Sequence, residues 1–455
     1  MEQSSNRYLA EAPIGGLMLK FAVPCTLSLL VSSLYNIVDR IFISWSIGYL
    51  GNGATNVVFP ITVIALAIAL MIGDGCAAYL SICQGKRDTE SANRSVGSAV
   101  TLLVLSGVVL AVLLAFLRDP ILYAFGATEN NYTYAVDYFN VIVIGIPFYV
   151  VTNGLNSVIR ADGSPRFAML STLLGCVMNL VLDPIAIFVL HWGVTGAALA
   201  TIAGQIASTI LGVCYLRRPK SFRLTVKSFC VRAQLARRIL PLGVSSFLTQ
   251  LSIVIIMGVM NTTLVQYGAL SKYGADIPMT VMGIVMKVFQ IVIAFVVGVA
   301  AGCQPIVGFN YGAGNAERVR KIFKTMLLAE GIIGAVSMLA FQLFPVQIIT
   351  LFGSENDLYN EFAVYSFRIF LSAILLCCVH KSIGIFLQAL GRPVLSMTLS
   401  LLRDFILCVP MILLFPLLTE PGVMGPLYSG PVADVITLAV AAVMMAPTLR
   451  RLEKA

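Results

Sequence analysis

Charge is scarce in this sequence. Only 11% of its 455 residues are Asp, Glu, Lys or Arg, and the mean hydropathy is +0.92. A soluble domain carries about a quarter charged residues, so a water-soluble globular class is excluded. Histidine is rarer still, with His191 and His380 the only two. There is no H-E-x-x-H pair, no nucleophile elbow and no phosphate-binding glycine loop, so nothing points to an enzyme. The 10 cysteines, from Cys25 to Cys408, lie in apolar runs or in a basic loop without C-x-x-C spacing. That argues against both a zinc site and a disulfide framework. The first 20 residues carry Glu2, Arg7 and Glu11 and lack a short apolar core with a cleavage site. They do not read as a removable signal peptide.

Long apolar runs dominate instead. Segments long enough to span a bilayer fall at 14–47, 55–83, 95–117, 133–159, 167–190 and 194–216. A second set falls at 239–265, 278–309, 319–344, 359–387, 394–418 and 424–445. The expected class is all-α: a polytopic membrane protein with twelve transmembrane helices in two six-helix lobes. Residues 1–218 form the N-lobe, 219–238 a basic linker and 239–455 the C-lobe. Several segments exceed the roughly 20 residues a span needs, so tilts or kinks are expected.

The loops alternate in charge. Basic ones hold Lys86, Arg87 and Arg94, then Arg160 and Arg166, then the cluster from Arg217 to Arg238, then Arg318 to Lys324, then Arg392. The intervening loops are neutral or acidic apart from Arg118 and Lys272. The positive-inside rule therefore places both termini and the linker in the cytoplasm, with the protein in the plasma membrane. The net charge of +9 is explained by this topology, without a nucleic-acid partner. The halves also repeat. Gly85 to Glu90 is echoed by Gly312 to Glu317, Phe125-Gly126 by Phe352-Gly353, and Ala161-x-Gly163-x-Pro165 by Ala389-x-Gly391-x-Pro393. Six helices per half is an even number, so both halves enter from the same side as a parallel repeat.

Ionisable residues inside spans are expensive and therefore informative. Asn179 and Asp183 are four residues apart, on one face of the fifth segment. Pro184 follows and leaves the Leu180 carbonyl without a donor. The acid either caps or bridges helices there, or holds a cation or proton. Asp39, beside Arg40, either marks a helix end or is a second buried acid. Tyr35, Asn36, Asp74 and Lys287 are candidates for lining a cavity. Asp74 lies between two glycines that would admit another backbone, and it could equally be bonded locally. Glu330, His380, Lys381 and Asp434 interrupt apolar runs of the second half, and Arg403–Asp404 reads as a structural pair.

These features together resemble the multidrug and toxic compound extrusion (MATE) family, in its DinF/MepA-like branch, over nearly the whole chain. The residues that carry the resemblance are Pro24, Asp39, the Gly85 loop with its echo, the paired A-x-G-x-P segments and Asn179-x-x-x-Asp183. The resemblance implies a cation or proton site, Na⁺ included, at Asp39, Asn179, Asp183 and Thr201. NorM-type members carry an acid in the seventh helix, where this chain offers Gln250. It further implies a monomeric antiporter without cofactors that exports organic, often cationic, drugs by alternating access in exchange for H⁺ or Na⁺. Bending at Pro24 or repacking at Pro184 would link ion to substrate. The alternative within the superfamily is a lipid-linked oligosaccharide flippase, which would need a strongly cationic cavity; Lys287 and Arg403 are the hints of one.

Overall fold

The computed structural model describes residues 8–47, 49–125, 127, 129, 131–350 and 357–454. The Phe125-Gly126 echo at Phe352-Gly353 therefore lies partly outside the described residues. Among the described residues the long elements are all helices: α1 Ile14–Ile47, α2 Tyr49–Gly85, α3 Thr89–Phe116, α4 Tyr132–Ala161, α5 Pro165–Pro184 and α6 Gly193–Tyr215. The second half follows with α7 Ala233–Ala269, α8 Asp276–Gly312 and α9 Ala316–Leu343. Then come α10, which is the pair Asp357–Phe370 and Ile374–Ala389, α11 from Pro393 to Leu414, and α12 Gly425–Lys454. Eleven of these are long and apolar enough to cross a membrane singly, and the α10 pair makes a twelfth span bent by 45°. The basic segment is shorter than the sequence reading, because α7 already begins at Ala233.

The repeat is visible in the backbone. Asp88 caps α3 by accepting the Ser91 N–H at 3.0 Å, and Asn315 caps α9 by accepting the Arg318 N–H at the same distance. One residue earlier, Arg87 and Gly314 both take positive φ, +58° and +77°. Gly163 and Gly391 match likewise at +78° and +71°. Glycine suits three of these four positions, and Arg87 holds the same turn at a steric cost.

Each lobe has its own apolar core. One gathers α2, α3, α4 and α6, and another gathers α7, α8, α10 and the first turns of α12. A third core joins the lobes at the end that carries the termini, where Leu17 and Phe21 of α1 pack with Cys303 of α8 and Phe386 of α10. Backbones meet closely along this seam. A Cβ on Gly243 of α7 would lie 1.7 Å from the Met71 carbonyl oxygen of α2, so no other residue fits. Small residues permit such approach where lipid supplies no hydrophobic drive between helices. Toward the opposite end Asn36 and Lys287 are exposed, and a Cβ added at Gly283 of α8 would meet nothing within 4 Å, so the close approach of the helices ends there.

The linker is anchored by one carboxylate. Asp162, just after α4, accepts bonds from the Tyr215 hydroxyl (2.6 Å), the Lys220 N–H (2.7 Å) and the Ser221 N–H (2.8 Å), and from the Ser221 hydroxyl. Asp162→Ala leaves these donors unsatisfied, and we expect it to destabilise the protein by about 3 kcal/mol. A lower thermal unfolding midpoint of the purified protein in detergent checks this, with Asp162→Asn intermediate; an unchanged midpoint would refute the anchoring role.

Candidate functional site

Asn179 and Asp183 occupy one face of α5, and both are buried, at 3% and 0% exposure. The helix does not break at Pro184. It continues as wider π-helical turns, Ile185–Val189, which accommodate a residue with no N–H to donate. The α11 helix carries a similar π segment, Leu401–Cys408, so both lobes widen a helix within the membrane.

Three helices converge on Asp183. From α1 comes Asp39, placed beside Asp183 closely enough for the two carboxyls to interact. From α6 comes Thr201. With its amide nitrogen toward Asp183, Asn179 donates to Oδ2 at 3.1 Å, and its oxygen accepts from the Thr201 hydroxyl (3.1 Å) and N–H (3.3 Å). The four residues singled out from the sequence thus meet in one place inside the N-lobe. Asp39 Oδ1 has no hydrogen-bond partner among the described residues. Tyr138 of α4 lies near both carboxyls, and Tyr35 of α1 lies near Asp39, Tyr138 and Tyr149. Tyr138 was not legible in advance, being one of 16 tyrosines with nothing to distinguish it.

Two carboxylates this close, away from water, repel too strongly for both to be charged unless a cation lies between them. A pair so placed can take up a proton or a metal cation. The two carboxyls, joined by the Asn179 oxygen when its amide turns over, form an oxygen-only set, suited to a hard cation and not to a soft transition metal.

Asp74 lies apart from this site, at the seam. It accepts from Ser157 of its own lobe at 2.6 Å and from Ser246 of the other lobe at 2.9 Å, with Arg160 3.8 Å away. Gln388 completes the junction by donating to the Leu242 carbonyl at 2.6 Å. Neither Ser246 nor Gln388 is charged, and nothing in the sequence marks them. Pro24 sits in an unbroken α1, where its carbonyl accepts the Ser28 hydroxyl at 2.8 Å. Asn36 bonds the Ser32 carbonyl at 2.6 Å, and Lys287 is exposed in the middle of α8.

His380, Lys381, Arg403, Asp404 and Asp434 of the C-lobe form a separate network, while Glu330 is buried outside it. Arg403 bonds Asp404 at 2.8 Å and Asp434 at 3.0 Å; His380 also reaches Asp434 at 3.0 Å, and Ser252 donates to Asp404 at 2.8 Å. Among the described residues, Cys377, His380 and Asp434 are the one trio of metal-ligand side chains whose atoms gather, within 4.8 Å. The Arg403 guanidinium already occupies Asp434, so the trio does not suit a cation.

A family model described as MatE matches residues 24–185 and 241–414. The multidrug export protein MepA of Staphylococcus aureus (strain MSSA476) is 25% identical over 99% of this chain and 97% of its own. The MepA of Staphylococcus haemolyticus is 26% identical over 94% of this chain and 92% of its own. Among solved structures, an outward-facing conformation of a multidrug resistance MATE family transporter of the MOP superfamily superposes with a TM-score of 0.90. That match has 24% identity and covers 98% of each chain. A MATE structure in the bent conformation matches equally well, at 23% identity over 99% and 98% of the two chains.

Proposed function

The chain belongs to the MATE family, and from that premise we propose that it is a secondary active exporter of organic compounds, exchanging them for inward H⁺ or Na⁺. Export as the activity is supported by the two MepA relatives, both named multidrug export proteins. Ion coupling is carried by one observation: a carboxyl pair, Asp39 with Asp183, held by Asn179 and Thr201 inside one lobe and outside the cleft. The acids have no acidic counterparts at the repeat offsets, so coupling is one-sided.

The two ends support a reading of alternating access. The lobes interlock where the termini lie and part at the other end. With the termini in the cytoplasm, as the basic loops indicate, this state is open to the outside. Loading the carboxyl pair changes the charge inside the N-lobe, and a ligand of one lobe shifts the balance of two states only through such differential interaction. Rearrangement of α1 at Pro24, or of α5 at Pro184, would transmit it to the seam. One H⁺ entering gains about 2.3 kcal/mol per 100 mV, and one monovalent cation leaving costs the same, so that exchange runs on the ion gradient alone. The reading includes a monomer in the plasma membrane.

Everted membrane vesicles with pH and sodium gradients imposed separately test this. Dye uptake driven by one gradient and abolished when it is collapsed is the expected result. Uptake that persists with both gradients dissipated would overturn the coupling.

A further inference from the structure

Resting on the export reading, we propose that the cleft binds the acidic group of an amphipathic organic anion, anchored by Arg40 of one lobe and Lys287 of the other. The seam defines the geometry. A Cβ on Gly302 of α8 would lie 2.6 Å from the Ala22 Cα of α1, and one on Gly298 would lie 2.6 Å from the Thr26 Cα. Helical periodicity carries these contact faces outward. Lys287 lies about three turns beyond Gly298, and Arg40 about five turns beyond Ala22, each returning to the same face. At Gly283, about one turn past Lys287 on that face, an added Cβ would meet nothing within 4 Å, so the helices have parted.

Both cations therefore point into the space between the lobes. Arg40 is the charged neighbour that Lys287 meets across it. The Arg40 guanidinium lies over the Phe59 ring, 5.2 Å from its centre. Neither residue forms an ion pair among the described residues. Asp39, next to Arg40 in sequence, is turned into the N-lobe onto Asp183. An exposed Lys287 and a half-buried Arg40 at this depth are tolerated where water enters, and like charges in a cleft with low-dielectric walls focus their field.

That field disfavours an organic cation and holds a carboxylate, sulfonate or phosphate. The guanidinium fork matches such oxyanions, while the Phe59 ring offers an apolar surface to the rest of the molecule. The two cations also repel each other across the opening, and a bound anion cancels that repulsion. Substrate would thus permit the open end to close, which makes loading a condition of the next step. With an anion leaving and a cation entering, each cycle moves charge twice in the same direction, so a membrane potential alone accelerates it.

The test uses the full chain in nanodiscs of zwitterionic lipid with two related dyes, anionic fluorescein and cationic rhodamine 6G. Fluorescein should bind at least about 10-fold more tightly, and Arg40→Gln and Lys287→Gln should each weaken it by about 10-fold without weakening rhodamine 6G. Tighter binding of rhodamine 6G by the wild type, or fluorescein affinity unchanged in both variants, would overturn the proposal. Fluorescein binding without gradient-driven movement in proteoliposomes would uphold the anion site and count against the export reading. Transbilayer movement of fluorescent phosphatidylglycerol with no fluorescein transport would reassign the site to a lipid headgroup and overturn the soluble-substrate class.

Discussion

Asp183→Asn is expected to reduce gradient-driven export by about 100-fold or more, roughly 2.7 kcal/mol of coupling, while the protein still folds and inserts. Asp183 is fully buried against Asn179 and Asp39. Asparagine keeps its shape and its oxygen acceptor, so the bond from Asn179 survives. Its amide can also donate to Asp39, which relieves the repulsion between the two acids. What disappears is the group that must take up a cation or proton to become neutral. Downhill substrate exchange in proteoliposomes should then persist while uphill export fails. Wild-type uphill transport by a well-expressed Asp183→Asn protein would show that the charge is dispensable.

The second large effect is expected at the seam. Gly243→Val places a side chain where even a Cβ would lie 1.7 Å from the Met71 carbonyl oxygen, and a Cβ added at the opposing Gly75 would lie 2.3 Å from the Ile239 carbonyl oxygen. Two backbones cannot yield to that overlap as a flexible side chain can, so α2 and α7 must separate. The Asp74–Ser246 bond, at 2.9 Å, is then lost with them. We expect transport to fall by about 100-fold, because a closed seam costs at least 2–3 kcal/mol more than before. Hydrogen–deuterium exchange checks the cause: amides from Ile239 to Ser246 should exchange faster in the variant. Asp74→Asn, which keeps the packing, should show a smaller increase. Unaltered exchange together with lost transport would place the defect elsewhere.

Much of this molecule can be read from single residues and their spacing. The spans follow from bilayer thickness, and the parallel lobes from repeats as local as Asp88 with Asn315 and Gly163 with Gly391. Asn179 and Asp183 share a face by helical geometry alone. All of these depend on short stretches of chain, each answering separately to lipid or to water.

Partners across helices were decided only by the tertiary structure. It set Asp39 against Asp183, brought in Tyr138, assigned Asp74 to the seam with Ser246, and turned Lys287 toward Arg40. The 45° bend of α10 and the π-helical turns after Pro184 belong with these. In a soluble helix the apolar stripe tells which face is inward. In a membrane the lipid-facing side is as apolar as the packed side, so that signal vanishes. Which faces meet is left to close backbone approach at residues such as Gly243 and Gly302, and to polar pairs that exist only once the helices are assembled.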